Sequence, residues 1–314
     1  LKSCDSDTLL ELVMASLLTL LGRGASPARC ARARHSLLRQ ALFSSGSTYI
    51  KDAQGTNTLE TATPAGVFGG TCVATGDSGS PTYRVHFKNT FDKRVSPWHD
   101  IKLHSALYGT FNCIIEIPKF TTAKMEMQTK EEHNPIGPDM KDGKPRHYHG
   151  PIYWNYGFLP QTWEDPNKEN AATGCKGDGD PLDVVEIGSA VLPLGSVVAV
   201  KPLGILAMID QGELDWKIIA INLSDPLAQG MHDLEHLEAK HPEVLSGIRE
   251  WFRWYKTPDG KPLNTFAFDG KVQSRAVANE MIAGYFDQWR ELRFGNAKNS
   301  GEWVQKVASW TDGL

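Results

Sequence analysis

The sequence predicts a mainly β, α+β fold in which a closed antiparallel sheet carries helices packed on its outside. Two observations carry that expectation. Short runs of β-branched and apolar residues, broken by turn residues, fill the first part of residues 83–292. Apolar residues at helical spacing are confined to the later part. These 210 or so residues suffice for one substantial core, and no internal repeat divides them.

In chain order, residues 1–51 come first, with seven Lys/Arg against three Asp/Glu and no acidic residue from 12 to 50. Arg23, Arg29, Arg32, Arg34 and Arg39 lie among Ser, Ala and Leu, the composition of a transit peptide for an organelle, mitochondrion or plastid. Met14 can serve as the initiator, or residues 9–21 form the short apolar region of a two-part leader. A cytoplasmic protein is expected only if residues 1–51 are an artefact. Residues 52–82 are rich in Thr, Gly, Ala and Ser and poor in large apolar residues, so a disordered linker is expected there.

Within the body, residues 113–117 read as a strand, and residues 123–128 alternate so that Lys124 and Glu126 share a face. Residues 184–187, 197–208 and 216–222 are further strand-like runs. From Pro242 onward, Leu245, Ile248, Trp251, Phe252 and Tyr255 recur at helical spacing; Val277, Met281, Ile282, Tyr285, Trp289 and Leu292 do so again. Residues 293–314 form a tail in which Trp303 and Trp310 suggest a docking segment.

Charge narrows the function. The chain has 33 Lys+Arg and 37 Asp+Glu, a net −4 that combines +4 on residues 1–51 with −8 on the remainder. A body this acidic, without a basic stripe interleaved with aromatics, is expected to bind no nucleic acid. No apolar run reaches the roughly 18 residues that span a bilayer, so no membrane partner is expected. The five cysteines are dispersed and odd in number, which reads as unpaired thiols.

The densest chemical signal is Gly177-Asp178-Gly179-Asp180-Pro181-Leu182-Asp183. Three carboxylates in six residues repel one another unless hard cations neutralise them. The spacing does not fit an EF-hand, because the third Asp stands at position 6 and Pro at position 4. Asp210, Glu213, Asp215 and Lys217 flank a turn at Gly212; if Asp215 starts the next strand, Asp215 and Lys217 face the same way. Glu116 and the Lys124/Glu126 pair lie on earlier strands, and Arg146, Tyr156, Tyr255 and Lys256 add cations and phenols. Carboxylates and cations in this mixture describe a site for several divalent metals and a polyanion. His232, Asp233 and His236 lack a third ligand at metal spacing and read as a solvated helix face.

These segments together resemble the family I soluble inorganic pyrophosphatases of the eukaryotic type. The matching stretches are Ile115-Glu-Ile-Pro-Lys119, Ala123-Lys-Met-Glu126, Trp154-Asn-Tyr-Gly157, Pro160-Gln-Thr-Trp-Glu-Asp-Pro166, residues 177–188, residues 208–220, Trp251-Phe-Arg-Trp-Tyr-Lys256 and Pro258-Asp-Gly-Lys-Pro262. The short interval from Arg146 to Tyr156 and the segment Ser96-Pro-Trp-His-Asp100 are similar to plastid-type forms. The resemblance implies an OB-type five-stranded barrel with helices outside. It implies hydrolysis of pyrophosphate to two phosphates by a metal-activated water, without a covalent intermediate, in a monomer or homodimer. Several Mg2+ ions are implied per site, with Mn2+ or other divalent cations as substitutes.

Residue by residue, Asp178, Asp183 and Asp215 match ligands of the tightest metal, and Asp210 a ligand of a further ion. Glu126 matches a carboxylate near metals that enter with substrate, and Glu116 one acting through water. Asp180 matches the general base, and Lys124 and Tyr156 the grip on the attacked phosphoryl group. Arg146, Tyr255 and Lys256 match the grip on the leaving phosphate, and Lys217 a charge-balancing lysine. Two departures stand out: Ile152, with Tyr153 next to it, occupies the place where many relatives have a Tyr four residues before Tyr156, and Gly179 replaces a common Asn. A rival reading is a catalytically silent pyrophosphatase-like scaffold subunit, because fold resemblance alone does not fix activity.

Overall fold

The computed structural model describes residues 68–304, together with the backbone of residues 48–51 and 57–62. The leader residues singled out above, and Trp310, lie outside the described residues. The apolar runs pair into two main sheets. The first joins β1 (Thr48–Lys51), β2 (Asn57–Ala62), β3 (Thr71–Thr75), β4 (Arg84–Lys88), β7 (Ile136–Pro138) and β6 (Met125–Met127) in that spatial order, each pair antiparallel.

The second sheet closes into a ring. β5 (Phe111–Ile117) pairs with β10 (Val197–Asp210), β10 with β11 (Glu213–Asn222), β11 with β9 (Asp183–Glu186), β9 with β8 (Asn155–Phe158), and β8 again with β5. Four of these pairings are antiparallel and one, β9 with β11, is parallel. The expected all-antiparallel closure is therefore corrected, for a reason of parity. An odd number of strands cannot alternate direction all the way around a ring, so at least one neighbouring pair must run parallel.

Along each ring strand the side chains divide between two cores, as the pleat requires. Ile114, Val185, Leu206, Met208, Ile219 and Ile221 belong to one; Cys113, Ile115, Val184, Ile205, Ala207, Ile218 and Ala220 belong to the other. Helix α2 (Pro242–Trp254) buries Leu245, Ile248 and Phe252 in the first core, and α3 (Arg275–Arg293) buries Ala278, Ile282 and Tyr285 in the second. Pro242 opens α2 at a position where a missing N–H is harmless, and the Ser274 side chain caps the N–H of Val277 at the start of α3. A short helix α1 (Leu234–Lys240) is capped by Asp233, whose carboxylate also takes His236 Nδ1 at 2.6 Å.

Two segments differ from expectation. Residues 57–62 and 71–75, both placed in the predicted linker, are strands, the second with Cys72, Val73 and Ala74 buried. Small apolar residues suffice there because the strand is paired on both edges and Val85 and Phe87 join Cys72 and Ala74 in one core. At the other end, residues 294–304 fold back on the body. The Trp303 N–H donates to the Thr129 carbonyl at 2.8 Å. Trp289 Nε1 donates to His99 Nδ1 at 2.9 Å, which leaves His99 Nε2 to donate to the Trp303 carbonyl at 3.0 Å. Burial keeps that imidazole neutral, holding its pKa down to about 3.

Ring closure depends on one close backbone approach. A Cβ on Gly157 would lie 1.8 Å from the Ile114 carbonyl oxygen, beside the bulge that shifts register between β8 and β5. Gly157→Ala must therefore push two ring strands apart. Its expected cost is about 3 kcal/mol or more, which corresponds to a Tm lower by roughly 6–12 °C for a chain this size. Calorimetry that found the Tm within 2 °C of the original (about 1 kcal/mol or less) would refute this account of closure.

Candidate active site

The polar residues of the site continue the faces of the first core. On β9, Asp183 precedes Val185 on the same side; on β11, Asp215 and Lys217 precede Ile219 and Ile221; on β10, Asp210 follows Leu206 and Met208. Glu116 shares its side of β5 with Ile114. The same alternation that buries each strand thus carries its carboxylate to one cleft of about 160 Å³.

At the cleft floor, Lys217 is only 2% exposed. Its ammonium donates to Asp183 Oδ2 at 2.5 Å, to Tyr156 Oη at 2.9 Å, and to Asp215 Oδ1. The Tyr156 hydroxyl in turn donates to Asp183 Oδ2. Burial alone would lower the lysine pKa, but Asp183 and Asp215 overcome it and hold Lys217 charged. Burial, and then the charge of Asp183, push Glu116 well above the usual carboxylate range, although its Oε1 accepts the Met127 N–H at 2.6 Å.

One wall carries the remaining cations. Lys124 Nζ lies 2.8 Å from Glu126 and 2.8 Å from Asp139. Arg146 Nη1 donates to Asp139 at 3.0 Å, and Asp259 lies 3.5 Å from Nη2. Burial would raise the Asp139 carboxyl, but Lys124 and Arg146 hold it below its ordinary value. Lys256 pairs with Asp210 and sits 5.3 Å from the centre of the Tyr255 ring. The Tyr255 ring stacks on Trp251, and burial raises its hydroxyl pKa well above the ordinary value.

The opposite wall is the loop between Gly177 and Asp183. The Asp180 N–H donates to Asp178 Oδ1 at 2.9 Å. Glu164 grips this loop with its backbone: its N–H donates to the Asp180 carbonyl and its carbonyl accepts from Gly179, both at 2.9 Å. Enclosure by the cleft, and then the charges of Glu126 and Asp183, push Asp180 up to about 7, against the opposing charge of Lys124. Its side chain reaches solvent at the cleft mouth, which tempers the shift without reversing its sign.

Twelve of the thirteen residues expected in the site line this cleft: Asp180, Lys124, Tyr156, Tyr255, Lys256, Lys217, Asp178, Asp183, Asp215, Asp210, Glu126 and Glu116. Arg146 is not among the lining residues and reaches the group through Asp139, which it shares with Lys124. Sequence reasoning missed Asp139, Asp259, Glu164 and Tyr148. The last lines the cleft with its hydroxyl pKa pushed up to about 12 by burial, while Ile152 is buried in the core and Tyr153 is exposed. Arg146 and Tyr148 stand two apart in an extended segment hydrogen-bonded to residues 122–124, and that alternation was the available signal for Tyr148.

Seven carboxylates against three lysines give the cleft a large excess of acidic groups. Oxygens of Glu164, Asp178 and Asp215 converge within 4.8 Å of one another, a donor set suited to a hard divalent cation. The residues present therefore fit metal ions of that kind.

The comparisons with known proteins agree with this geometry. The family model described as inorganic pyrophosphatase matches residues 113–290. Soluble inorganic pyrophosphatase 6, chloroplastic, of Arabidopsis thaliana is 50% identical over 218 residues, covering 69% of this chain and 72% of that protein. Inorganic pyrophosphatase 2, mitochondrial, of Mus musculus is 45% identical over 238 residues, covering 69% and 72%. Among solved structures, the type I inorganic pyrophosphatase of Toxoplasma gondii superposes with a TM-score of 0.68 at 45% identity, over 70% of this chain and 98% of that one. The N-terminally truncated vacuolar soluble pyrophosphatase of Trypanosoma cruzi, solved in complex with PPi, has a TM-score of 0.68 at 38% identity, over 80% and 99%. This chain belongs to the inorganic pyrophosphatase family.

Proposed function

We propose that this inorganic diphosphatase hydrolyses pyrophosphate with Asp180 as general base, in a cleft whose carboxylates hold several Mg2+ ions. The observation that carries the reading is the excess of seven carboxylates over three lysines around one small cleft. Divalent cations bound there would neutralise the tetra-anionic substrate and make the attacking water more acidic. Asp178, Asp183, Asp215 and Asp210 are the residues to hold them, with Glu126 and Glu116 nearby; Mn2+ or another divalent cation would serve as a substitute. The five-strand ring supports reading the fold as the OB-type barrel.

The chain's own groups divide the work. Asp180 takes the proton of the attacking water as the new O–P bond forms and the bridging P–O bond breaks. Lys124 and Tyr156 grip the attacked phosphoryl group. Arg146, Tyr255 and Lys256 hold the leaving phosphate as its charge develops. In the structure Lys124 and Lys256 lie on carboxylates; with those taken by divalent cations, both ammonium groups can turn to phosphate oxygens. Lys217, buried beneath them, balances Asp183 and Asp215. The basic composition of residues 1–51 supports an organellar address, as do relatives whose names place them in chloroplast and mitochondrion.

Phosphate release from pyrophosphate is the deciding assay. Asp180→Asn is expected to lower kcat about 10²- to 10⁴-fold with the fold intact by circular dichroism; full Mg2+-dependent turnover in this variant would remove Asp180 from its role. No turnover by the folded original protein would instead favour a silent scaffold subunit. Asp183→Ala should raise the Mg2+ requirement more than about tenfold besides slowing the reaction. An unchanged metal titration would refute the ligand role.

Stability should also depend on pH in a characteristic direction. Asp180 is raised to about 7, and Glu116 and Asp178 are raised as well, so the metal-free native state holds protons that the unfolded chain releases near pH 4. The stability of the metal-free protein is therefore full below about pH 4 for these groups and falls as pH rises toward 7. Scanning calorimetry in a chelator should show that fall, and saturating Mg2+ should suppress it. Because the neutral buried His99 contributes in the opposite sense over this range, the deciding comparison is with Asp180→Asn: a metal-free Tm difference between the two proteins that does not change from pH 5 to 7 would contradict the assignment.

A further inference from the structure

The interior next to the metal-facing aspartates contains one carboxylate that the proposed mechanism does not use. Glu164 is 0% exposed. Its Oε1 has only a long contact, 3.4 Å, from the Trp216 N–H, and its Oε2 has no hydrogen-bond partner among the described residues. A buried carboxylate oxygen without a partner is costly, because its desolvation is not repaid. A bound ion or an ordered water reaching that oxygen would satisfy it.

The position says what that something is. An oxygen of Glu164 lies within 4.8 Å of oxygens of both Asp178 and Asp215. Asp178 and Asp215 line the cleft and Glu164 does not, so it stands behind them. The other features of Glu164 fix its place. Its backbone is bonded to Gly179 and Asp180 in both directions. A Cβ on Gly177 would lie 2.4 Å from the Glu164 carbonyl carbon and oxygen, so the two chain segments are in direct contact. Two neighbouring tryptophans, Trp163 and Trp216, are buried and bonded to Tyr285 of α3, Trp163 through its backbone N–H and Trp216 through its indole. Glu164 is thus held in place by its backbone, with one carboxylate oxygen within 4.8 Å of oxygens of the Asp178–Asp215 pair.

We propose that Glu164 is a positioning residue for the divalent cation that Asp178 and Asp215 hold. Mg2+ binds few protein ligands directly and keeps much of its hydration shell. A carboxylate standing behind the direct ligands accepts hydrogen bonds from that shell and adds negative charge where the cation needs it. The inference rests on the metal-dependent reading of the cleft and extends it by one residue, toward the resting protein's own affinity for metal.

Mn2+ binding to the full chain in the absence of pyrophosphate, followed by electron paramagnetic resonance, separates the possibilities. Glu164→Gln keeps size and polarity but removes the charge; it should weaken the tightest Mn2+ site about 10- to 100-fold. The metal-free Tm should stay at or above the original value, because three converging carboxylates become two, while the rise in Tm on adding Mg2+ shrinks. Glu164→Asp keeps the charge but withdraws it by one methylene, so its affinity should fall between; it decides the matter if the Gln variant does not fold. Unchanged Mn2+ affinity in either folded variant overturns the role of Glu164 alone. Absence of Mn2+ binding by the original protein overturns both this role and the metal-dependent reading of the cleft.

Discussion

The molecule depends on a single buried ammonium. Lys217 joins three ring strands at once, because Tyr156 belongs to β8, Asp183 to β9 and Asp215 to its own strand β11. Removing one partner from a buried ion pair costs about 3–5 kcal/mol, since the remaining charge is left without compensation. Here two carboxylates and a phenol would be left together. The knot is therefore structural and electrostatic in the same atoms: it closes the floor of the cleft and sets how much negative charge the floor presents.

That arrangement explains how an acidic body handles an anionic substrate. The carboxylates above Lys217 outnumber the cations, and several of them are pushed toward the protonated form by burial and by one another. A site in that condition is under electrostatic stress that divalent cations relieve. Cation binding there would reverse the sign of the field that an incoming pyrophosphate meets. Repulsion in the metal-free cleft and attraction of substrate in the loaded one are two aspects of one charge distribution.

Much of this was legible in the chain. Alternation on 123–128 placed Lys124 and Glu126 together, and the two-residue interval from Asp215 to Lys217 placed both on one face of β11. Of the helix-spaced residues from Leu245 to Tyr255, all but Tyr255, which caps the end, fell on α2, and those from Val277 to Leu292 fell on α3. What escaped were residues whose role is set by partners distant in sequence. Glu164 lies in an irregular stretch and meets Asp215 across 51 positions; the matching run from Pro160 to Pro166 contains it but gives it no role. Asp139 acquires meaning only when Lys124 and Arg146 converge on it. The strand at Thr71–Thr75 escaped because its residues are too small to announce a core; pairing on both sides supplies what composition lacks.

The parity of the ring bears on the chemistry as well as on the fold. Five strands force one parallel pair, and in a parallel pair the two chains begin at the same end of the sheet. In this molecule that pair is β9 with β11, in a register that sets Asp183 opposite Lys217. The start of β9 therefore lies beside Lys217, two residues past Asp215, and the antiparallel neighbour β10 ends where β11 begins, bringing Asp210 opposite Glu213 and Met208 opposite Asp215. An all-antiparallel neighbour in place of β9 would carry its starting carboxylate to the far end of the ring. The one irregularity that geometry imposes on the sheet is thus the place where acidic strand ends accumulate, and the cleft is built there.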